Sequence, residues 1–312
     1  MRGAALAALL VASALVSSLA GQTRWRYEQP IANPRTVPFA NRLLTESSGV
    51  AVSRSQPGVL WTLNDSGNDP LLFATDTLGR DRGTFRVTGA RNEDWEAIRV
   101  APCGPRSCVY IGDIGDNVEG RHNIVIYRVP EPSVPEPSVP AAGGSRPGDR
   151  PATRPTTRAT ALRVRYPDGP HDAESLIVTP AGDLLLLTKS GRAIRLYRVP
   201  ASAWGAGRTA VADSLGVIPI VPETASFRLV TDAALAPDGL RVAVRTYREI
   251  FFLRLRNGHL QPDDPPRACD TFGIQLQGEG VDWLDQHTLV LTSESAFIQR
   301  GTVAVISCPS IK

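Results

Sequence analysis

Five short stretches of the chain share one signature, in which a polar residue precedes a small residue, an apolar residue and a strand-like run. Four of the stretches place a carboxylate at the polar position, and one places a serine there. The aligned residues are Ser48, Glu96, Glu174, Asp232 and Glu279. Acids that converge on one point repel one another unless they are protonated or neutralised. Oxygen ligands of this kind and number suit Ca²⁺, so we predict that these five residues bind one calcium ion.

A repeated structural unit must position these residues. Each signature opens a run of β-rich segments separated by Gly, Pro, Asn and Asp turn chemistry, and helical periodicity is almost absent. A propeller gathers equivalent positions of its blades around one axis. The sequence therefore predicts an all-β fold, a five-bladed β-propeller that forms a single domain over residues 21–312. The last repeat has only three strands, and we predict that residues 37–44 supply its fourth strand and close the ring.

A second group of polar residues follows the second strand of each repeat. The start of the first strand and the end of the second share one face, because the two strands are antiparallel neighbours. We predict that Lys189 and Arg245 contact an anionic ligand there. Asp65 or Asp113 would orient an attacking water molecule. These four residues are the predicted catalytic residues.

Several local motifs accompany the five aligned residues. They are the runs Asn64-Asp65-Ser66-Gly67, Tyr110-Ile111-Gly112-Asp113-Ile114-Gly115 and Glu279-Gly280-Val281-Asp282. With them the chain resembles the calcium-activated nucleotidases, or apyrases, in which five blades each lend a Ser or Glu to a central calcium. Asp232 departs from that pattern because it replaces a Ser. The chain is also similar to uncharacterised secreted bacterial propeller proteins with Asp-Trp-Glu and Gly-Asp-Ile-Gly-Asp-Asn motifs.

These observations support two functional hypotheses. The first is a secreted, calcium-dependent hydrolase of a phosphate-bearing substrate. The second is a non-catalytic, calcium-stabilised propeller that binds an extracellular ligand or protein. Convergence of Lys189, Arg245 and Asp65 around an open pocket would favour catalysis, whereas a flat or capped face would favour binding. The sequence has no Gly-x-Ser-x-Gly, Walker, His-Glu-x-x-His or dinucleotide motif, so serine-nucleophile and nucleotide-loop chemistries are disfavoured.

The N-terminus and the cysteines indicate export. Residues 1–20 have a basic start, an apolar run and a small-residue cleavage site, as expected of a signal peptide. We predict a secreted or periplasmic protein with no membrane attachment after cleavage. Four cysteines in such a protein fit two disulfides, Cys103–Cys108 and Cys269–Cys308, although free buried thiols are the alternative.

Charge and composition limit the classes of partner that the protein can bind. The net charge of +3 is spread over interspersed acids and bases, so we expect no nucleic-acid binding. The expected partner is an anionic small molecule or an extracellular ligand, and the expected state is a monomer. Residues 130–157 contain Pro-Glu-Pro-Ser-Val twice in succession, which predicts a disordered loop insertion within the propeller.

Overall fold

The protein is built almost entirely of β-strands. The structure, a computed structural model, describes residues 23–31, 34–135 and 152–311. The predicted signal peptide and the middle of the Pro-rich insertion lie outside these residues. The strands are β1 (Arg26–Glu28), β2 (Arg35–Pro38), β3 (Ser47–Val52), β4 (Leu60–Asn64), β5 (Leu71–Thr75), β6 (Gly83–Arg86), β7 (Trp95–Cys103), β8 (Arg106–Asp113), β9 (Ile124–Pro130), β10 (Arg154–Pro155), β11 (Thr160–Arg165), β12 (Ala173–Val178), β13 (Leu184–Thr188), β14 (Arg195–Val199), β15 (Ala210–Val211), β16 (Asp213–Val217), β17 (Val230–Leu235), β18 (Arg241–Thr246), β19 (Glu249–Arg256), β20 (His259–Asp270), β21 (Gly278–Trp283), β22 (Leu289–Ser293) and β23 (Thr302–Ile306).

Five sheets form the blades of a β-propeller, as predicted. From the inside outward, blade 1 is β3-β4-β5-β6, blade 2 is β7-β8-β9-β11 and blade 3 is β12-β13-β14-β16. Blade 4 is β17-β18-β19-β20, and blade 5 is β21-β22-β23-β2. The inner strand of each blade contacts the inner strands of the blades on either side, so the five inner strands surround one axis. We call the end of the propeller at which the inner strands begin the upper face.

The N-terminal segment closes the ring. Strand β2 pairs antiparallel with β23, with Val37 opposite Val303, and so completes blade 5. This confirms the predicted closure, although the strand covers Arg35–Pro38 and not the predicted residues 37–44. Two disulfides are also present: Cys103–Cys108 spans the β7–β8 hairpin, and Cys269–Cys308 joins the outer strand of blade 4 to the end of blade 5. Disulfides of this kind are typical of extracellular or periplasmic proteins.

The structure adds two details to the outer strands that the sequence analysis did not assign. The outer strand of blade 4 is β20. Strand β20 contains three prolines, which argue against a strand in the sequence. A register shift between Phe252 and Leu253 of β19 accommodates them. The described residues at the two ends of the Pro-rich insertion contact blade 1. Glu131 accepts a hydrogen bond from Trp61 Nε1 at 2.9 Å, and β10 pairs with β6 of blade 1.

Large apolar side chains fill the space between blades. Trp61, Trp95 and Trp283 are fully buried. Trp283 also donates a hydrogen bond from Nε1 to the backbone oxygen of Ala234 at 3.0 Å, which joins blade 5 to blade 4. This packing fixes the inner strands, and the inner strands position the residues around the axis. In the described part of the chain, no helix has the length and apolar character needed to cross a membrane.

Candidate metal centre

A β-bulge at the start of each inner strand creates the positions around the axis. In blade 1, Ser47 pairs with Asn64 and Gly49 pairs with Leu63, so Ser48 has no pairing partner. Blades 2, 3 and 4 show the same shift, and in blade 5 both Glu279 and Gly280 lie within it. A bulge of this kind redirects the unpaired side chain. We define the ring as the residues at this position, which are Ser48, Glu96, Glu174, Thr231 and Glu279.

The ring residue of blade 4 is therefore Thr231, and the sequence alignment was displaced by one position there. Val230 pairs with Thr246 and Asp232 pairs with Arg245, which leaves Thr231 in the bulge. Thr231 Oγ1 donates a hydrogen bond to the backbone oxygen of Glu279 at 2.9 Å. Ser48 Oγ makes the equivalent bond to the backbone oxygen of Glu96 at 3.2 Å. Each hydroxyl thus bonds to the ring residue of the next blade.

Asp232 has a different environment. Its carboxylate is fully buried, pairs with the guanidinium of Arg99, and accepts hydrogen bonds from the N–H groups of Ala233 at 2.8 Å and Val281 at 2.9 Å. Burial raises the pKa of Asp232 to about 6, against the opposing effect of Arg99. The structure does not bring this predicted ligand into the ring.

Three glutamates of the ring are buried, and the charge of Glu174 acts on both Glu96 and Glu279. Each is at most 4% exposed. Glu96 Oε2 accepts a hydrogen bond from Ser48 Oγ at 2.6 Å, and Glu174 Oε1 lies 2.8 Å from Lys189 Nζ. Glu279 Oε2 is buried and has no hydrogen-bond partner among the described residues. Lys189 contacts Glu174. The charges of Lys189 and of the buried Arg245 lower the pKa of Glu279, so these two cations face three carboxylates.

The electrostatics of the ring follow from this shortage of positive charge. Burial raises the pKa of Glu96 and of Glu279 well above the ordinary range, and the charge of Glu174 adds to both effects. Burial also raises the pKa of Glu174 to about 7, although Lys189 acts in the opposite direction. A cation at the centre would reverse these shifts because it favours the ionised carboxylates.

The donor set of the ring fits calcium. It offers three carboxylates and two hydroxyl oxygens, with no nitrogen or sulfur donor, which suits Ca²⁺ better than Zn²⁺. The unpartnered Glu279 Oε2 is an acceptor that such an ion would satisfy. The ring residues thus offer oxygen donors of the kind that calcium binds.

A second acidic cluster adjoins the ring on the upper face. Asp65, Asp94 and Glu96 each offer a carboxylate oxygen, and these oxygens lie within 4.8 Å of one another. Asp94 is 9% exposed and its Oδ1 has no hydrogen-bond partner among the described residues. Burial, followed by the charge of Asp65, raises the pKa of Asp94 to about 6. Sequence reasoning missed Asp94 as a site residue, although its two-residue spacing from Glu96 was an available signal.

Two of the predicted catalytic residues are occupied by other contacts. Arg245 is buried and donates hydrogen bonds to the backbone oxygens of Gly280 at 2.6 Å and Thr292 at 2.9 Å, and to Gln275 Oε1 at 2.8 Å. Its guanidinium lies between blades 4 and 5 and does not reach the open face. The reason is its register: Arg245 pairs with Asp232, not with a ring residue.

Asp113 is similarly engaged. Its buried carboxylate lies 2.8 Å from the guanidinium of Arg121 and accepts a hydrogen bond from the N–H of Asp94 at 3.1 Å. Asp113 therefore positions the segment that carries Asp94 and does not itself face a ligand. Of the four predicted catalytic residues, Asp65 and Lys189 are partly exposed beside the ring. Arg245 lies near Glu279 but is buried.

Lys189 links the ring to an open cavity. Its side chain is 20% exposed. The cavity has a volume of about 640 Å³ and is also lined by His171, Arg192, Arg195 and Asp172. Arg192 is exposed and makes no ion pair within the described residues, whereas Arg195 lies 3.6 Å from Asp168. The cavity thus offers cationic groups that the sequence analysis did not assign.

Comparisons with known proteins agree with the fold. The chain is similar to the GH43_1 enzyme from Xanthomonas citri complexed with xylose, with a TM-score of 0.50, 11% identity, and coverage of 88% of this chain and 90% of that chain. For the PQQ-bound aldose sugar dehydrogenase from Streptomyces coelicolor, the TM-score is 0.46 at 13% identity, with 90% and 100% covered. For a gluconolactonase from Xanthomonas campestris, it is 0.44 at 10% identity, with 90% and 91% covered. Identities this low show the fold alone. The sequence matches no protein-family model and no curated protein sequence.

Proposed function

We propose that this protein is an exported, monomeric propeller that binds one Ca²⁺ at the ring. The observation that carries the proposal is the buried Glu279 Oε2, which no donor among the described residues reaches, in a side chain on which the charge of Glu174 acts. A buried carboxylate without a partner is costly, and a divalent cation offsets that cost. The two ring hydroxyls keep a lone pair for an ion while they donate to the neighbouring backbone oxygens.

Calcium bound in this way would stabilise the fold. The ring takes one residue from the inner strand of each blade, so a single ion would contact all five repeats. Because these residues converge only in the native state, the ion binds the folded protein in preference to the unfolded chain. At a free calcium concentration of about 100 times Kd, the expected stabilisation is about 2.7 kcal/mol.

The first test compares melting temperatures in calcium and in chelator. We expect calcium to raise the melting temperature of the wild type and to have little effect on Glu279→Gln, which removes a charged ligand but keeps the side-chain shape. Glu93→Gln is the matched control, because Glu93 lies on the same face with a largely exposed side chain. The proposal fails if calcium leaves the wild type unchanged, or if Glu279→Gln responds as the wild type does.

The cavity beside Lys189 favours a second candidate function, the calcium-dependent hydrolysis of a phosphate-bearing substrate. A bound Ca²⁺ supplies Lewis acidity towards a phosphoryl oxygen. Lys189 and Arg192 would pair with the remaining anionic oxygens, taking the role first assigned to Arg245. Asp65, partly exposed beside Glu96, would accept a hydrogen bond from the attacking water and orient it.

A panel of phosphate esters and nucleotides tests this candidate in calcium and in chelator. We expect calcium-dependent phosphate release that falls at least tenfold in Lys189→Met and Arg192→Ala, while both variants keep their calcium-dependent stabilisation. If no substrate releases phosphate and calcium still stabilises the protein, the non-catalytic binding propeller is the correct alternative. The two functions are therefore separable by one set of variants.

A further inference from the structure

We propose that the upper face binds a second divalent cation, held by Asp65, Asp94 and Glu96. We call this the outer site. Glu96 would belong to both the ring and the outer site and would bridge the two ions through its two carboxylate oxygens. The bridging rests on the proposed function of the ring, whereas the outer site stands on its own contacts.

The spacing of the three carboxylates fits one ion. One oxygen from each residue lies within 4.8 Å of the others. Calcium binds oxygen at 2.3–2.6 Å, so two ligands on opposite sides of the ion are roughly 5 Å apart. All three oxygens can therefore contact a single cation without movement of the backbone.

Asp94 supplies an independent indication of a ligand. It is about nine-tenths buried, yet no donor reaches its Oδ1 within the described residues. Arg121 is the cation expected to compensate it, but that guanidinium lies 2.8 Å from Asp113 and 3.4 Å from Glu93. Asp94 is thus a buried carboxylate with an unpaired oxygen, and it lies next to two further acids. A bound cation would supply the missing partner and the missing counter-charge.

The surrounding backbone holds the three acids in place. The backbone oxygen of Asp94 accepts hydrogen bonds from the N–H groups of Ile114 at 3.0 Å and Gly115 at 3.2 Å. A Cβ on Gly115 would lie 2.5 Å from Asp94 Oδ2 and 2.6 Å from Glu96 Oε1, so only glycine allows this approach. Asn92 Nδ2 donates to the backbone oxygen of Asp65 at 2.7 Å and fixes the third ligand.

The two carboxylate oxygens of Glu96 point towards different sites. Oε2 accepts the hydrogen bond from Ser48 in the ring, whereas Oε1 faces Gly115 and Asp94. Carboxylates that bridge two metal ions are common where both ions serve one site. Asp65 is partly exposed, so the outer ion would lie nearer to solvent than the ring ion and would exchange faster.

The test is calcium stoichiometry by equilibrium dialysis with radioactive calcium, together with the melting temperature. We expect two ions per chain in the wild type and in the control Glu93→Gln. Asp94→Asn should bind one ion and keep most of the calcium-dependent rise in melting temperature. Glu279→Gln should bind one ion and lose most of that rise, and Glu96→Gln should bind neither ion tightly.

Gly115→Ala provides a second variant that changes no charge. Its Cβ would occupy the space between Asp94 and Glu96, so it should remove the outer ion alone. The outer site is refuted if both Asp94→Asn and Gly115→Ala bind as many ions as the wild type does. If Asp94→Asn loses an ion while Glu279→Gln keeps both, the ring proposal fails and the outer site stands. Retention of one tight ion by Glu96→Gln would refute the bridging.

Discussion

Asp232 and Glu279 are buried acids at the starts of neighbouring inner strands, but their environments differ. Asp232 pairs with Arg99 and accepts two backbone N–H groups. Glu279 has a buried oxygen with no partner among the described residues. The comparison shows that burial alone does not identify a metal ligand. What separates a ligand from a structural acid is whether the protein already supplies its hydrogen bonds and counter-charge.

The Asp232–Arg99 pair has a structural role that explains its location. Arg99 on β7 also donates to the backbone oxygen of Val50 on β3 at 2.9 Å and to that of Ala233 on β17 at 3.2 Å. Its guanidinium therefore links blades 1, 2 and 4 across the axis. Below the ring, the charges of Asp232 and Arg99 therefore balance each other. The ring above this pair keeps an excess of negative charge.

The largest expected effect comes from breaking that pair. Asp232→Asn removes the charge of the carboxylate that contacts the buried guanidinium of Arg99. Loss of one partner of a buried pair costs about 3–5 kcal/mol. We expect this decrease in the free energy of unfolding, measured by urea denaturation, to be the same in calcium and in chelator. A decrease that appears only in calcium would show that Asp232 is a metal ligand after all.

The sequence predicted the features that depend on repetition and local pattern. The recurring signature predicted five blades, and the incomplete last repeat predicted closure by the N-terminal strand. The cysteine positions predicted both disulfides. These features depend on which residues are apolar and where turns occur, and both properties are visible in a sequence.

The sequence could not predict the features that depend on register. A bulge adds one residue to a strand without a mark in the sequence, so Thr231 and Asp232 could not be distinguished. Arg245 was assigned to the open face for the same reason, because its position between blades depends on pairing with Asp232. The spacing of Asp94 from Glu96 was visible in the sequence, but the absence of a donor to its Oδ1 among the described residues is visible only in the folded structure.

The pH dependence of stability provides a test of intermediate expected size, because the ring carboxylates lack the full compensation that Asp232 has. In the absence of calcium, the native pKa of Glu174 is about 7, above its ordinary value near 4.5. The native state therefore binds more protons than the unfolded chain between these pH values. Its contribution to stability is full below about pH 4.5 and is lost as the pH rises through 7.

Calcium should reverse this dependence, because it binds the ionised carboxylates and displaces their protons. We expect the melting temperature in chelator to fall between pH 5 and pH 8, and the increment due to calcium to grow over the same interval. Differential scanning calorimetry of the wild type and Glu174→Gln measures both quantities. The assignment is refuted if the increment is independent of pH, or if Glu174→Gln retains the full wild-type profile.

The smallest expected effect is that of a substitution at Thr231, and it tests whether Thr231, rather than its neighbour Asp232, is the blade 4 residue of the ring. Thr231→Ala removes a neutral oxygen from the ring and the hydrogen bond to the backbone oxygen of Glu279. We expect the free energy of unfolding to fall by about 1 kcal/mol in chelator, because one buried hydrogen bond is lost. The calcium Kd should rise by less than tenfold, because a hydroxyl contributes less than a carboxylate to a calcium site.

Thr231→Ser keeps the hydroxyl and should restore both values. Isothermal titration with calcium measures Kd for the three proteins, and equal Kd values for wild type and Thr231→Ala would show that blade 4 contributes no ligand to the ring.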